Sequence, residues 1–386
     1  MKICMLLNNN FKNDSRVYRE AKTLVNSGYE VVILAVKDKE LPTDEVMEGI
    51  KVKRVLDYLL GLPLKPWRFK QTRDYVKKAI LEDADFYHCH DLVTLLPGYL
   101  IKRKTHKKLI YDSHELYTET APIFWQKSFF GKVRKQIERL LWKIAERFLI
   151  KKANAVIASN PSIAQELQKK YNLNKLPFVL RNLSEKKEAR KTDKLAQLFN
   201  IRDKKIVLFQ GGMTPGRGLE NLVKAVKDFK EDTVLVLIGD GLLKADLERY
   251  VALNNLKKKV YFFKTVPLSE LLNYTASADL GIIPFENICL NHYFCLPNKL
   301  FEYIQARLPV IASDFPEMKK IIESYNIGAT FNPEDPKDIT RSINEILGNP
   351  KKYQEYKNNL EKATQELNWE KEGKKLIKLY KNLEKK

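Results

Sequence analysis

The chain has 386 residues, of which 44% are hydrophobic and 10% are aromatic, and its formal net charge is +21. This length predicts two domains, and the apolar content excludes a wholly disordered chain. The positive charge indicates an anionic membrane surface, an anionic substrate or nucleic acid as a partner, unless the excess of lysine reflects an AT-rich or heat-adapted source.

The first half of the chain alternates short apolar runs with amphipathic segments. This alternation is typical of parallel strands covered by helices on both faces. Apolar residues at helical spacing predict a first helix over residues 15–27, with Asp14 as its N-cap. The predicted strands of this half are 2–7, 30–35, 52–55, 86–88, 108–111 and 155–158.

Polar residues follow several of these strands, at the sheet edge where open α/β folds bind ligands. His90 and Asp91 follow one strand, and the run Asp112–Glu115 follows the next. This run predicts ligand contacts through His114 and Glu115, or a capping box that opens a helix. Arg16, in the first turn of the first helix, is expected to meet an anionic ligand at the same edge.

These residues also allow a metal site. His88 and His90 on one loop, with Asp112 and His114 on the next, would supply zinc ligands if the two loops met.

The second half repeats the alternation. Its predicted strands are 205–209, 234–238, 260–263, 280–283, 310–312 and 328–331, and helices are predicted over 219–228 and 242–254. A charged, weakly patterned segment from Ser184 to Asp203 separates the halves. The sequence therefore predicts one domain over residues 1–184 and another over 185–365.

The loop Gly211–Gly218 lies between a predicted strand and a helix. Glycines such as Gly211 and Gly212 let a backbone approach a pyrophosphate closely, and Arg217 offers a forked donor for its charge. The alternative is a glycine- and proline-rich turn with a surface arginine.

The segment Cys295–Tyr303 is the most informative of the chain. Pro297, Asn298 and Lys299 open a helix whose free N–H groups and dipole suit an anion. Glu302, one turn later, can accept two hydrogen bonds from a ribose diol. A phosphate site beside a ribose site predicts a bound nucleotide, although Glu302 and Lys299 could also be plain surface residues.

The order and spacing of these motifs resemble those of the retaining glycosyltransferases of family 4. The resemblance implies an α/β fold of the GT-B type, with two Rossmann-like doubly wound domains facing a central cleft. The first domain, with a C-terminal helix of about residues 366–386 packed back on it, would bind the acceptor. The second domain would bind the nucleotide sugar.

The resemblance also implies an activity: sugar transfer, with retention, from a nucleotide-diphosphate sugar to a lipid-linked or cell-surface glycan, without a cofactor. It implies no protein-bound metal ion, because fixed positive groups hold the diphosphate in relatives. Expected catalytic residues are His90, Arg217 and Glu302, and the expected acceptor or sugar contacts are Arg16, Asp91, His114 and Glu115. The expected donor-binding residues are Gly211, Gly212, Arg217, Pro297, Asn298, Lys299 and Glu302.

Two positions depart from the pattern of the family. Gly212 stands where relatives usually carry an arginine, and Phe294 stands where they carry the first glutamate of an E-x7-E signature. Asn298, or a group between Glu286 and His292, is expected to replace that glutamate. Two other functions remain open: a sugar-nucleotide epimerase, and a basic protein that binds membranes or nucleic acid. No recognition helix or aromatic-basic RNA motif supports nucleic acid.

The cysteines and the first residues predict a location. Cys4, Cys89, Cys289 and Cys295 show no metal-ligand spacing, which is typical of reduced thiols. The apolar run Ile3–Leu7 is too short for a signal peptide. We therefore expect a cytoplasmic protein.

A basic stretch from Trp125 to Lys152 predicts a further partner. It carries nine cations among apolar residues at helical spacing: Lys127, Lys132, Arg134, Lys135, Arg139, Lys143, Arg147, Lys151 and Lys152. Either the apolar residues are buried in the first domain, or they help the cations to bind an anionic membrane surface peripherally.

Overall fold

A computed structural model describes residues 1–57, 59–62, 65–120 and 129–385 of the chain. The chain divides into two compact units. Unit 1 comprises Met1–Asn182 with Glu372–Lys386, and unit 2 comprises Leu183–Lys371. Each unit has its own sheet.

The sheet of unit 1 has eight strands in the described chain, in the order β3-β4-β2-β1-β5-β6-β7-β8. Neighbouring strands are parallel except β3, which pairs antiparallel with β4. The strands are β1 (Lys2–Leu6), β2 (Glu30–Val36), β3 (Asp44–Met47), β4 (Ile50–Leu56), β5 (Phe86–His90), β6 (Lys108–Ser113), β7 (Ala155–Ala158) and β8 (Phe178–Val179).

The helices of unit 1 follow from local sequence signals. Asp14 caps the first helix, where its Oδ1 accepts a hydrogen bond from the Val17 N–H at 3.1 Å, so the N-cap prediction is confirmed. The helices are α1 (Ser15–Val25), α2 (Pro66–Leu81), α3 (Leu92–Thr105), α4 (Phe129–Leu149) and α5 (Pro161–Tyr171).

Unit 2 has a six-stranded, all-parallel sheet in the order β11-β10-β9-β12-β13-β14. Both faces are covered, because Leu208 and Val236 belong to one buried cluster and Val207 and Leu235 to another. The strands are β9 (Lys205–Gln210), β10 (Thr233–Ile238), β11 (Val260–Phe263), β12 (Leu280–Ile283), β13 (Val310–Ser313) and β14 (Gly328–Phe331).

The helices of the second half surround this sheet and end with a helix that carries the chain from one unit to the other. They are α6 (Lys194–Phe199), α7 (Leu219–Ala225), α8 (Lys244–Leu253), α9 (Leu268–Thr275), α10 (Leu290–Tyr293), α11 (Asn298–Gln305), α12 (Pro316–Tyr325), α13 (Pro336–Leu347), α14 (Pro350–Glu366) and α15 (Trp369–Glu384).

Helix α15 belongs to unit 2 at its start and to unit 1 from Glu372 onward. Its Tyr380 is fully buried, with its ring 5.2 Å from that of Phe86 and 5.6 Å from that of Tyr29. The terminal helix is therefore an integral part of the core of unit 1.

The apolar residues predicted along α4 divide between two sides of the helix. Trp142 and Leu149 are buried, whereas a second set that includes Ile137 and Ile144 is exposed. The alternative in which all of these apolar residues are buried in the first domain is wrong. Trp125 and Lys127, from the same stretch, lie outside the described residues.

Among the parallel strands of each sheet the strand order reverses at one point, and open α/β folds bind ligands beyond the carboxyl ends of the strands there. The reversal lies between β1 and β5 in unit 1, and between β9 and β12 in unit 2.

Candidate functional site

The loops that follow β9 and β12 meet at the reversal point of unit 2. The backbone N–H of Glu286, just after β12, donates a hydrogen bond to the carbonyl of Gly216 at 3.0 Å. The loops pack so closely that a Cβ added to Gly218, whose φ is +67°, would lie 1.7 Å from the Pro284 carbonyl oxygen. Glycine at position 218 is therefore required by the approach of the two loops.

Two cations converge beside this pair of loops. The Lys299 Nζ lies 3.8 Å from the ring centroid of Phe209 and 5.4 Å from that of Phe285. The Arg217 guanidinium lies 4.2 Å from the Phe285 ring. The rings of these two phenylalanines thus hold both positive groups at the carboxyl edge of the sheet.

Lys299 is buried beneath an exposed glycine. A Cβ on Gly211 would lie 3.2 Å from the Lys299 Nζ, while Gly211 and Gly212 are themselves exposed. Burial and the nearby Arg217 lower the pKa of Lys299 to about 7, against the attraction of Glu302. Burial disfavours the charged form of Lys299. An anion bound over Gly211 would favour that charged form again, because a nearby negative charge raises the pKa of a lysine.

Glu302 lies one turn further along α11 and is held by two side chains in sequence. The Gln210 Nε2 donates to the Glu302 Oε2 at 2.5 Å, and the Thr275 hydroxyl donates to the Gln210 Oε1 at 2.8 Å. Gln210 is a site residue that we did not predict. Its signal was a polar residue that ends the otherwise apolar run of β9.

The start of α11 carries the remaining predicted donor residues. Pro297 is the N-cap and makes no side-chain capping bond, and Asn298 is the exposed first residue of the helix. The first-turn N–H groups of a helix have no partner within it and suit an anion. Phe294, at the end of α10, is half-buried and contacts the Tyr293 ring at 5.2 Å.

The corresponding edge of unit 1 is built around Asp112. The Arg16 Nη2 donates to both Asp112 oxygens, at 2.9 and 2.8 Å, and the Arg16 Nε lies 3.0 Å from the Glu20 Oε1. All three side chains are buried. Arg16 was expected to meet a ligand; its guanidinium instead compensates internal carboxylates.

The pKa values of Glu20 and Asp112 shift in opposite directions, although both carboxylates lie beside Arg16. Burial and the charge of Asp112 raise the pKa of Glu20 to about 8, against the attraction of Arg16. Burial acts in the same direction on Asp112, but Arg16 and His114 outweigh it and hold the pKa of Asp112 well below its usual range. Asp112 is therefore the favoured ionised partner of Arg16, whereas the protonated form is favoured at Glu20.

Three histidines line this cluster in order of depth. The Tyr380 hydroxyl lies 2.9 Å from the Nδ1 of His88. The ring of His88 is stacked on that of His90, with centroids 4.2 Å apart. The Nδ1 of His90 lies 3.1 Å from the Nε2 of His114. The side chain of His114 is 21% exposed and that of His90 only 2%, so His114 is the outermost member.

The protonation of the histidines follows this order. Burial lowers the pKa of His88 to about 4, against the charge of Asp112, and holds that of His90 well below its usual value. Burial also disfavours the charged form of His114, but Asp91 and Asp112 outweigh it and raise its pKa to about 9. Near neutral pH, His114 is therefore positively charged, whereas the deeper His90 and His88 are neutral.

Asp91 and Glu115 complete the predicted residues of this edge. Asp91 is the N-cap of α3, with φ +63°, and its Oδ1 accepts a hydrogen bond from the His114 N–H at 3.3 Å. The carbonyl of Glu115 accepts a bond from the Ser113 hydroxyl at 2.8 Å. The capping-box interpretation of this run is wrong, because Asp112 belongs to β6 and the next helical turn starts only at Tyr117.

A cluster of possible metal ligands lies in the same place. The ligand atoms of Glu20, His88, His90 and Asp112 all lie within 4.8 Å of one another. Both Asp112 oxygens already accept hydrogen bonds from Arg16, so a second cation beside them would be repelled. The absence of a metal requirement stays a prediction.

Comparison with known proteins assigns the family. A model described as Glycosyltransferase Family 4 matches residues 15–181, and one described as Glycosyl transferases group 1 matches residues 190–363. The two matches fall one in each half of the chain. The chain belongs to the GT-B glycosyltransferases of group 1 and family 4.

Individual relatives agree with this assignment. An uncharacterized glycosyltransferase of Methanocaldococcus jannaschii is 25% identical to this chain over 374 residues, which cover 94% of this chain and 92% of the relative. The structure of a sucrose-phosphate synthase from Thermosynechococcus elongatus has a TM-score of 0.79 at 19% identity and covers 99% of both chains.

A second solved structure contains ligands. HepE from Anabaena, in complex with UDP and glucose, has a TM-score of 0.76 at 14% identity, and the match covers 99% of this chain and 100% of that one. At these identities the solved structures establish the fold of this glycosyltransferase. The predicted family and fold class are therefore confirmed.

Proposed function

We propose that this glycosyltransferase takes a sugar from a nucleotide-diphosphate sugar and transfers it, with retention, to a lipid-linked or cell-surface glycan. The observation that carries the proposal is the pair of cations, Lys299 and Arg217, held on aromatic rings beside the exposed Gly211. The complex of HepE with UDP and glucose supports a donor of this class.

The donor side follows from the chemistry of the leaving group. Negative charge on the diphosphate grows as the bond to the sugar breaks, so preorganised cations stabilise the transition state more than the bound substrate. We assign this role to Arg217 and Lys299. We assign the ribose hydroxyls to Glu302, whose carboxylate Gln210 holds in place.

The sugar and acceptor contacts are assigned to the edge of unit 1. Retaining transfer passes through an oxocarbenium-like state, so the protein mainly positions the sugar and the acceptor. His114 is the accessible member of its cluster and carries the charge, and His90 lies behind it at hydrogen-bond distance. We therefore assign the direct contact to His114, with Asp91 and Glu115 beside it, and a supporting position to His90.

A donor panel tests the proposal. UDP-, GDP-, ADP- and CMP-sugars are added to the protein in EDTA, and the donor that binds raises the melting temperature by mass action. The selected donor is then incubated with glycan and lipid-linked acceptors, and the anomeric configuration of the product is read by NMR. Retention without added metal is expected.

Other outcomes of the same assay separate the alternatives. Inverted product excludes the retaining mechanism. Interconversion of the donor sugar without an acceptor identifies an epimerase.

Arg217→Ala should lower kcat/KM far more than Arg217→Lys, whereas Arg249→Ala, which removes an exposed arginine of α8, should have no effect. Equal activity of Arg217→Ala and wild type would remove Arg217 from the site.

A further inference from the structure

Helix α4 presents a continuous apolar surface on the side that faces away from its core contacts. Its six members recur every three or four residues and are between 38% and 84% exposed. We call them the apolar stripe: Phe130, Val133, Ile137, Leu140, Ile144 and Phe148. Large exposed apolar surfaces of this kind mark interaction sites.

Residues outside the stripe anchor α4 to unit 1, although the ring of Phe148 also packs against that of Tyr99, with the centroids 5.8 Å apart. Trp142 and Leu149 are 4% and 3% exposed and anchor the helix to unit 1. Glu146 is buried as well and accepts hydrogen bonds from the hydroxyls of Tyr111 and Tyr171. The helix is therefore fixed by one side, and its other side offers the stripe to a partner.

The stripe continues into a groove next to α2. This groove has a volume of about 460 Å³, and its walls combine Phe130, Val133 and Ile137 with Leu62 and Arg68. Two large aromatic side chains at the start of α2, Trp67 and Phe69, are also exposed, by 48% and 64%.

Cations border the stripe. Exposed basic side chains on and just after α4 are Lys132, Arg134, Arg147, Lys151 and Lys152. The acidic residues of the helix offset them little, because Glu138 lies 3.4 Å from Lys135 and Glu146 is buried. The surface thus combines apolar side chains with a strong excess of positive charge.

We propose that the apolar stripe and its flanking cations dock on an anionic lipid bilayer, with α4 lying in the plane of the interface. A helix with one apolar face and a basic border suits this position. Pairing of two stripes across a dimer would bring like charges together, such as Arg134 and Arg147 of both copies. A bilayer of anionic lipids covers the apolar side chains and neutralises the border at once.

The inference rests on α4 and not on the donor site, although it suits an enzyme with a lipid-linked acceptor. Within the described residues, the structure contains no helix that meets the length and hydropathy needed to cross a bilayer. Docking through α4 would accordingly be peripheral and salt-sensitive.

Flotation with phosphatidylcholine vesicles, with and without phosphatidylglycerol, tests the proposal on the full-length protein. Wild type should float with the anionic vesicles, and less of it as salt increases. Ile137→Ser with Ile144→Ser should weaken binding at least about tenfold. Arg134→Gln with Arg147→Gln should weaken it about fivefold for each cation removed.

Matched controls separate the surface from general effects. Leu253→Ser with Leu268→Ser removes two leucines of unit 2 that are 77% and 56% exposed, and vesicle binding should not change. All variants should keep the melting temperature and the nucleotide affinity of wild type, so that failure of the membrane surface is distinguished from failure of the proposed activity.

Each of the following results would overturn the inference. The first is absence of flotation at low salt. The second is equal flotation on neutral and anionic vesicles, or an Ile137/Ile144 variant that binds like wild type. The third is a dimer, seen by light scattering, that dissociates in the Ile137/Ile144 variant, while vesicles bind neither the variant nor wild type. The stripe would then be an interface between copies of this chain.

Discussion

At the scale of single residues, the edge that we propose for donor binding contains groups whose charged forms the fold disfavours. Lys299 is an ammonium group that is 9% exposed and close to the positive Arg217. A diphosphate would add the negative charge that favours the protonated form of Lys299. Binding of the nucleotide and protonation of Lys299 should therefore be coupled.

The first prediction measures that coupling. With the pKa of free Lys299 at about 7, the amine is mostly neutral at about pH 8, where a phosphate with its second pKa near 6 is already ionised. Titration calorimetry in buffers of different ionisation enthalpy should show proton uptake on binding at this pH, and affinity should fall as the pH rises from about 7 to 9.

Two variants serve as controls for this prediction. Lys299→Met should bind more weakly and take up no proton, and Lys299→Arg should bind without the pH dependence, since arginine stays charged. An unchanged proton uptake in Lys299→Met would show that another group titrates and that Lys299 is not in contact with the diphosphate.

The second prediction concerns Gln210, a positioning residue for Glu302. Gln210→Leu keeps the volume but removes the hydrogen bond to the carboxylate, so affinity for the nucleoside diphosphate should fall about tenfold. Wild type should prefer the ribonucleotide to its 2′-deoxy analogue, and the variant should lose most of that preference. Gln354→Leu, on the surface of α14, is the control.

A merely structural role for Gln210 would give a different pattern. In that case the melting temperature would fall and the preference for the ribose hydroxyl would persist among the molecules that remain folded. Such a result would show that Glu302 does not bind the ribose hydroxyls.

The third prediction is the titration of His114. Its pKa is raised from 6.5 to about 9, which corresponds to about 3 kcal/mol of stabilisation of the native state. A raised pKa contributes stability that is complete below the unfolded value of 6.5 and is lost as the pH rises through 9. Asp112→Asn should bring the pKa down and remove most of this contribution.

Histidine-selective NMR labelling checks the prediction directly. One resonance should titrate near pH 9 and should disappear in His114→Gln, whereas the signals of His88 and His90 should not titrate between about pH 6 and 9. Titration of all histidines near the ordinary value would contradict the buried arrangement around Asp112.

At the scale of elements, the sequence predicted the strands that are apolar and buried and missed those that are not. All twelve predicted strands are present, and β7, β11, β12 and β14 agree at both ends. β3 was missed because it is a mostly exposed, antiparallel edge strand with no apolar run, and β8 because it has only two residues.

The side chains of the site were harder to predict than the strands that carry them. The sequence indicated that Arg16 and Asp112 lie at one sheet edge, but not that they bind each other, because that contact joins residues 96 positions apart. Periodicity likewise identified the apolar residues of α4, but it cannot tell which side of a helix its neighbours cover.

The fourth prediction concerns α15. Tyr380→Ala should destabilise unit 1 by about 3–5 kcal/mol, because it empties a fully buried site and leaves His88 without its hydroxyl partner. Hydrogen exchange should then speed up in β5 and β6 and remain slow in β10.

A buried tyrosine of unit 2 provides the converse control. Tyr356→Ala, in α14, removes a side chain that is 3% exposed and belongs to a core cluster of unit 2. It should speed exchange in β10 before it affects β5. Equal loss of protection in both sheets from either variant would show that the two units unfold together.

At the scale of the whole molecule, the chain uses one design twice with different chemistry. Each unit has a sheet in which the order of the parallel strands reverses once. The edge of unit 2 gathers cations beside exposed glycines, whereas that of unit 1 gathers carboxylates and histidines around an internal arginine. We attribute donor binding to the edge of unit 2, and sugar or acceptor contacts to the edge of unit 1.

The most direct test of the central claim is the affinity of unit 2 for nucleoside diphosphates in the full-length protein. Calorimetric titration with UDP, GDP and ADP should show tight binding of one of them and much weaker binding of the matching nucleoside. Removing both cations, by Arg217→Ala with Lys299→Met, should lower that affinity at least about 100-fold, because each charge-assisted contact contributes about 1.5–3 kcal/mol. If no diphosphate binds more tightly than its nucleoside, or if the double variant binds like wild type, the donor site is not at this edge.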